Sequence, residues 1–329
     1  MDNLINHCIC TKCKYLIINK NLWNKEDIHR KYCGYIMPYQ TLEELINTTN
    51  CEFFSEDKTK KRKVLILGAS GLIGSSLFRE FLCYDSFLIF GTYNFDKSHN
   101  DFLQLDLEKI QDTIDIVNNI NPDVIIWAAE NEYSKENLKI KKTFIELLQN
   151  ISSNTKFIFF STDAVFSGEK GDYSEKDSIT IPSKNNYMHD YITGKIEREN
   201  FIKALPNSII VRTGPVYGKN LNRKWDFRSE AILSQIQNSN SIIVKENFIR
   251  NFINNKFLAK NILKLCIIDF RGIIHITNFT KRSTSNHYKL LAEYNGFNSS
   301  LILEEKQSEN KDLSLNNSLF MEINQNLNY

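Results

Sequence analysis

Val64-Leu65-Ile66-Leu67 is an uninterrupted apolar run, and Gly68, Gly71 and Gly74 follow it at three-residue intervals in Gly68-Ala69-Ser70-Gly71-Leu72-Ile73-Gly74. Four consecutive apolar positions cannot alternate between core and solvent, so this reads as a strand buried on both faces, the environment of a parallel sheet covered by helices. Glycines directly after such a strand allow a tight turn and a close approach of backbone N–H groups to a pyrophosphate. Its charge then meets the positive N-terminus of the following helix. Helical periodicity from Leu72 to Cys83 supplies that helix. The candidate cofactor contacts here are Gly68, Ser70, Gly71, Leu72, Ile73 and Gly74.

Similar apolar runs recur at Phe87-Leu88-Ile89-Phe90, Val124-Ile125-Ile126-Trp127, Phe157-Ile158-Phe159-Phe160, Ser208-Ile209-Ile210-Val211 and Ile273-Ile274-His275-Ile276. Stretches with helical spacing, such as Leu138 to Leu148, separate most of them. Alternating strand and helix predicts an α/β fold with a doubly wound, Rossmann-type parallel sheet. The 329 residues allow one large α/β domain and smaller units, and 42% apolar with 24% charged residues excludes wholesale disorder. No run of ~18 uncharged apolar residues occurs and Met1-Asp2-Asn3-Leu4 lacks a signal-peptide pattern, so a cytoplasmic location without membrane contact is expected. Lys58, Lys60, Lys61, Arg62 and Lys63 are read as a solvated linker; without them 36 basic side chains face 39 acidic ones, which gives no case for a nucleic-acid groove.

Four of the seven cysteines, Cys8, Cys10, Cys13 and Cys33, fall in the first 33 residues. Cys10-x2-Cys13, then fifteen residues, then His29-x3-Cys33, matches a Cys2HisCys zinc site, a tight thiolate knuckle facing one turn of helix. So small a unit needs its metal to fold. Cys8 and His7 are close enough to substitute for a ligand. Thr41 to Ile46 reads as a short helix; residues 1–52 are then a zinc-knuckle module, 53–62 a linker and 63–329 the main domain. Cys51, Cys83 and Cys266 are read as small core residues.

After the second strand, Gly91-Thr92-Tyr93-Asn94 lacks the acid that would take the ribose hydroxyls of NAD, and nearby Lys97 suits a 2′-phosphate, which favours NADP over NAD. Leu105-Asp106-Leu107 follows the third strand, where a carboxylate can accept from an adenine amino group, or simply be an exposed turn acid. Ser161-Thr162-Asp163 ends the strand Phe157 to Phe160, and Tyr191-Ile192-Thr193-Gly194-Lys195 follows. Four-residue spacing on a helix sets a phenol and an ammonium on one face, a pair that can protonate a carbonyl as hydride arrives. A Thr162 hydroxyl at the strand's end would hold the carbonyl oxygen.

From Lys63 onward the chain resembles the extended short-chain dehydrogenase/reductases, and within them the dTDP-4-dehydrorhamnose reductase family. The resemblance rests on Gly68 to Gly74, Ser161 to Gly171 with Tyr173 and Glu175, Tyr191 with Lys195, and Val211-Arg212-Thr213-Gly214-Pro215-Val216-Tyr217-Gly218. It implies a catalytic triad of Thr162, Tyr191 and Lys195, and cofactor contacts that add Tyr93, Asp106, Leu107, Ala128, Ala129, Thr213 and Val216. It also implies a C-terminal lobe for a nucleotide sugar, about residues 218–250 and 277–329, with a core of about 63–217 and 251–276. Asp163, Ala164, Phe166, Asn222 and Arg250 are its substrate-side candidates, Arg250 for the sugar diphosphate. The implied activity is NAD(P)H-dependent reduction of the 4-keto group of a nucleotide-activated deoxy sugar. An epimerase using the same triad remains open. So does a non-catalytic dinucleotide-binding subunit of a partner enzyme, as in the methionine adenosyltransferase regulatory subunit, which resembles the same family. Ala164 stands where family reductases usually carry tyrosine, Ile192 replaces a usual glycine, and residues 180–189 read as a short insertion. The N-terminal module lies outside the resemblance and is a candidate surface for a homodimer or a protein partner.

Overall fold

The computed structural model describes residues 61–129, 138–306 and 310–326, together with the backbone of a short antiparallel pair, β1 (Tyr32–Cys33) and β2 (Met37–Pro38). The candidate zinc ligands Cys10, Cys13 and His29, the side chain of Cys33, and the helix expected from Thr41 lie outside the described residues, as does Cys51. Among the described residues no group of His, Cys, Asp and Glu is arranged to hold a metal ion. No helix among them is long and apolar enough to cross a membrane.

The chain then runs through β3 (Arg62–Leu67), α1 (Leu72–Phe81), β4 (Phe87–Tyr93), β5 (Leu103–Gln104), α2 (Ile110–Ile120), β6 (Val124–Trp127), α3 (Leu138–Asn150), β7 (Lys156–Thr162), α4 (His189–Lys203) and β8 (Ser208–Thr213). After β8 come β9 (Val216–Tyr217), α5 (Phe227–Gln237), β10 (Ile242–Lys245), β11 (Phe248–Arg250), β12 (Ile253–Asn254) and α6 (Asn255–Leu265) before the last sheet strand, β13 (Gly272–His275). The sheet order is β13-β8-β7-β6-β3-β4-β5, and every neighbouring pair is parallel. The winding reverses between β3 and β6, so the carboxyl ends of those strands frame the crevice where such folds bind ligands.

β3 explains why this sheet has helices on both faces. Val64 and Ile66 enter a core built with Leu77, Phe81 and Ile262 of α1 and α6, whereas Leu65 and Leu67 enter a second core with Val117 of α2 and Phe144 of α3. All four β3 residues are fully buried. Each continuous apolar run therefore serves two layers at once.

The basic run does more than border this domain. The Arg62 guanidinium donates to the Cys266 carbonyl just past α6, and Lys63 Nζ donates to the Ile120 carbonyl at the end of α2, 2.7 Å away. Both cations meet the negative end of a helix, which corrects the expectation of a wholly solvated linker. Cys266 is fully buried and its thiol is pushed up to about 12, burial being the first cause. Cys83 is exposed, against expectation, because α1 stops at Phe81 and Cys83 sits on the turn beyond it.

A smaller lobe surrounds Leu233, Ile236, Ile242, Tyr288 and Ile302. It is built from α5, β10 and β11 with β14 (Arg282–Ser283), α7 (Thr284–Tyr294) and β15 (Ile302–Glu305). β16 (Lys311–Asp312) still pairs with β11 of the lobe, after which Leu313 and Leu315 pack with Phe166 and Tyr173, and Phe320 of α8 (Ser318–Asn326) enters the main core. The end of the chain thus returns to the sheet domain, where the sequence had assigned residues 277–329 to the lobe as a block.

Candidate functional site

The glycine turn is built for close approach. Gly68 has φ +84°, a left-handed conformation that favours glycine, and a Cβ there would lie 2.6 Å from the Ala129 Cα. A Cβ on Gly74 would overlap the Gly68 carbonyl oxygen. Thr92 clamps the turn from β4: its hydroxyl accepts from the Gly68 N–H at 3.0 Å and its carbonyl from the Ala69 N–H at 2.8 Å. Helices α5, α6 and α7 begin with side-chain caps from Asp226, Asn254 and Ser283. Helix α1, with Gly71 at its N-cap, lacks a side-chain cap as α2 and α4 do, but unlike those two it has no acid in its first turn. Its leading N–H groups lack intrahelical partners and face the crevice end of β3, the arrangement that receives a phosphate.

An open cleft of about 90 Å³ lies alongside. Thr162, Tyr191, Lys195, Ile73, Ala128, Thr213, Val216 and Arg250, all singled out in the sequence, line it together with Trp127, Phe160, Ser161, Gly214 and Pro215. Thr162 reaches it because the β7 strand ends there, in register with Thr213 of β8. Tyr191 and Lys195 share one face of α4, and the Lys195 Nζ stands 5.6 Å from the Tyr191 ring centre. That ammonium is buried and donates to the Phe160 carbonyl at 2.7 Å, which fixes it between β7 and the phenol. Helix α4 is itself locked to β8: Arg212 donates through Nε to Glu199 Oε1 at 3.0 Å and through Nη2 to Oε2 at 2.7 Å, a fully enclosed bidentate pair.

Three buried polar atoms of cleft-lining residues, Trp127 Nε1, Ser161 Oγ and Thr213 Oγ1, have no hydrogen-bond partner among the described residues. The Trp127 indole packs in the second core against Phe144, and all three atoms are enclosed, so none of them opens to the cleft. The glycine turn and the start of α1 are what fit the phosphates of a dinucleotide. Among the other expected cofactor contacts, the Tyr93 carbonyl accepts from the Leu105 N–H, and Asp106 Oδ1 accepts from the Glu108 N–H at 3.0 Å. Leu107 is buried in the second core, and Lys97 is exposed just beyond β4.

The substrate-side residues divide. Asp163 is fully buried and engaged by the Arg250 guanidinium, so its carboxylate cannot meet a substrate directly. Ala164 and Phe166 are buried too, and Phe166 stacks on Tyr173 with ring centres 4.3 Å apart, which makes it core and not pocket wall. Asn222 is exposed on the turn between β9 and α5 and does not line the cleft. Sequence reading missed the Phe160 carbonyl, the Thr92 clamp and the Asp163–Arg250 pair. The first two are backbone or strand-interior groups with no sequence signature, and the last joins residues 87 positions apart.

Comparison with known proteins agrees with this architecture. A family model described as the RmlD substrate binding domain matches residues 62–309. A structure of a hypothetical dTDP-4-dehydrorhamnose reductase from Sulfolobus tokodaii is similar with a TM-score of 0.66 at 24% identity, covering 79% of this chain and 94% of that one. A dTDP-4-dehydrorhamnose reductase from Bacillus anthracis, solved with NADP, gives 0.66 at 20% identity over 83% of this chain and 98% of its own. The Bordetella bronchiseptica enzyme WbmH, solved with NAD+, gives 0.67 at 15% identity over 81% and 96%. Among curated proteins, the methionine adenosyltransferase 2 subunit beta of Danio rerio is 24% identical over 169 residues. That match spans 49% of this chain and 50% of that protein.

Proposed function

Since the chain belongs to the RmlD substrate-binding domain family, we propose that it is an NAD(P)H-dependent reductase of the 4-keto group of a nucleotide-activated deoxy sugar. The observation that carries this reading is the convergence of Thr162, Tyr191 and Lys195 on one cleft beside an uncapped helix N-terminus. When bound, a reduced nicotinamide dinucleotide supplies the hydride for the keto carbon. Tyr191 gives its phenolic proton to the carbonyl oxygen as charge builds there, and the Lys195 ammonium beside the ring stabilises the phenolate left behind. Thr162 sits where the carbonyl oxygen is oriented. The Gly68 to Gly74 turn and the first turn of α1 would hold the phosphates, and Ala128, Thr213 and Val216, which line the cleft, would border the reactive ring. Exposed Lys97 past β4 supports NADP over NAD.

The test is loss of nicotinamide absorbance with NADPH or NADH and a panel of 4-keto nucleotide sugars. Tyr191→Phe is expected to cut turnover roughly 10²- to 10⁴-fold while sparing cofactor affinity; undiminished turnover would sink the assignment.

The likeness to the methionine adenosyltransferase subunit supports a second reading, a dinucleotide-binding subunit without turnover of its own. Tight NADP binding with no turnover on any sugar, and a changed rate for a methionine adenosyltransferase on mixing, would establish it. For residues 1–52 the Cys10, Cys13, His29 and Cys33 spacing supports a separate zinc module. Stoichiometric zinc that is lost in a chain starting at residue 53, with dinucleotide affinity kept, is the expected result.

A further inference from the structure

Arg250 and Asp163 were both candidates for contact with substrate, yet they are spent on each other. Arg250 Nε donates to Asp163 Oδ2 at 2.8 Å and Nη2 donates to Oδ1. That same Oδ1 accepts the Thr162 hydroxyl at 3.1 Å, while the Thr162 oxygen accepts the Ala164 N–H at 3.2 Å. A hydroxyl has one proton and two lone pairs. The only proton of Thr162 is therefore turned away from the cleft, and one lone pair is left to face it. A ketone oxygen has no proton to offer that lone pair, whereas a sugar hydroxyl does.

We propose that Asp163, pinned by Arg250, is a positioning residue that sets the direction of the Thr162 hydroxyl. It presents Thr162 to the cleft as an acceptor for the sugar hydroxyl next to the keto group, which orients the carbonyl toward Tyr191 for proton transfer. Arg250 acts through Asp163 and is not the anchor of the sugar diphosphate. Three features support this. Asp163 is completely enclosed while Arg250 reaches the cleft wall. The bidentate pair commits the Nε and Nη2 of Arg250 to Asp163, which leaves the Nη1 side of the fork for any other group. And β11, which carries Arg250, belongs to the lobe, so the pair also ties the lobe to the catalytic strand end.

The inference rests on the reductase reading, and the experiment separates the two. Asp163→Asn and Arg250→Gln are compared with the wild type for kcat, KM, NADPH affinity and calorimetric binding of a nucleoside diphosphate, with unfolding checked by thermal melts. Both variants are expected to lose kcat by about 10- to 100-fold, with KM and nucleoside diphosphate affinity changed by less than about threefold. In a Thr162→Val background Asp163→Asn should add less than about twofold, because its effect passes through the missing hydroxyl. If either single variant melts early, the double variant Asp163→Asn/Arg250→Gln, which leaves no unpaired charge, takes the same measurements. A raised KM and weakened diphosphate binding in Arg250→Gln at unchanged kcat would overturn the inference and return Arg250 to the phosphate. Multiplicative losses in the Thr162→Val background would overturn it as well. A wild type that turns over none of the sugars would instead remove the reductase reading, and the inference with it.

Discussion

Gly74 shows how a single atom can decide both fold and ligand. A methyl group there would overlap the Gly68 carbonyl oxygen, which cannot retreat because Thr92 holds the turn from behind. Gly74→Ala is expected to cost about 1–3 kcal/mol of stability and to weaken dinucleotide binding, both readable from a denaturant titration with and without NADPH. Lys264 makes a different point at the same scale. Burial, and then the charge of Lys260, lowers its ammonium to about 8 although its Nζ donates to Asn324 at 2.7 Å. Between about pH 8 and its ordinary 10.5 the folded state sheds a proton that the unfolded chain keeps, so this residue's contribution to stability rises with pH in that window. Lys264→Met should therefore melt higher than the wild type at pH 7, and the gap should narrow as pH approaches 10.

Among the elements, the strands and α1 were legible because each is a one-dimensional pattern: a short apolar run, or apolar residues at helical spacing after a glycine turn. Helix α4 was not legible that way. It buries Lys195, Arg198 and Glu199 and leaves Phe201 partly exposed, so its apolar periodicity is faint, and only the Tyr191–Lys195 spacing marked it. Its place depends on the Glu199–Arg212 pair, which joins a helix to a strand. Helix α7 carries another feature that no pattern announces. His287 stacks on Phe252 with ring centres 3.8 Å apart, and burial, followed by the charges of Arg282 and Arg228, pushes it down to about 3. From about pH 6.5 down to 3 the unfolded chain binds a proton that the folded one refuses, so acid destabilises the lobe. His287→Phe keeps the stack and should remove roughly 1.4 kcal/mol of acid sensitivity per pH unit below about pH 6, measured as the difference between urea midpoints at pH 7 and pH 5.

Across the whole molecule the chain crosses between its two parts more often than a simple core-then-lobe order would. After β16 it returns to the sheet domain, where Phe320 lies 3% exposed in the core shared by β3, α1 and α6. Phe320→Ala is expected to cost about 3–5 kcal/mol and to leave NADPH affinity unchanged, since α8 contacts β13, at the opposite edge of the sheet from β5 and four strands from β3; a matched loss of cofactor binding would contradict that separation. The same return places Leu313 and Leu315 against Phe166 and Tyr173, which explains why Phe166 became core and not pocket.

By itself the sequence determined the parallel α/β sheet, the glycine turn after its first strand and the shared helix face of Tyr191 and Lys195. Each rests on neighbours within a few residues or on one helical turn, where backbone geometry alone fixes what faces what. Only the tertiary structure decided that Arg62 and Lys63 close helix ends, that Asp163 faces Arg250 and not a ligand, and that the last residues belong with the sheet. Those outcomes depend on which distant group supplies the partner for a buried charge or carbonyl, and a buried polar group takes the partner that packing brings to it.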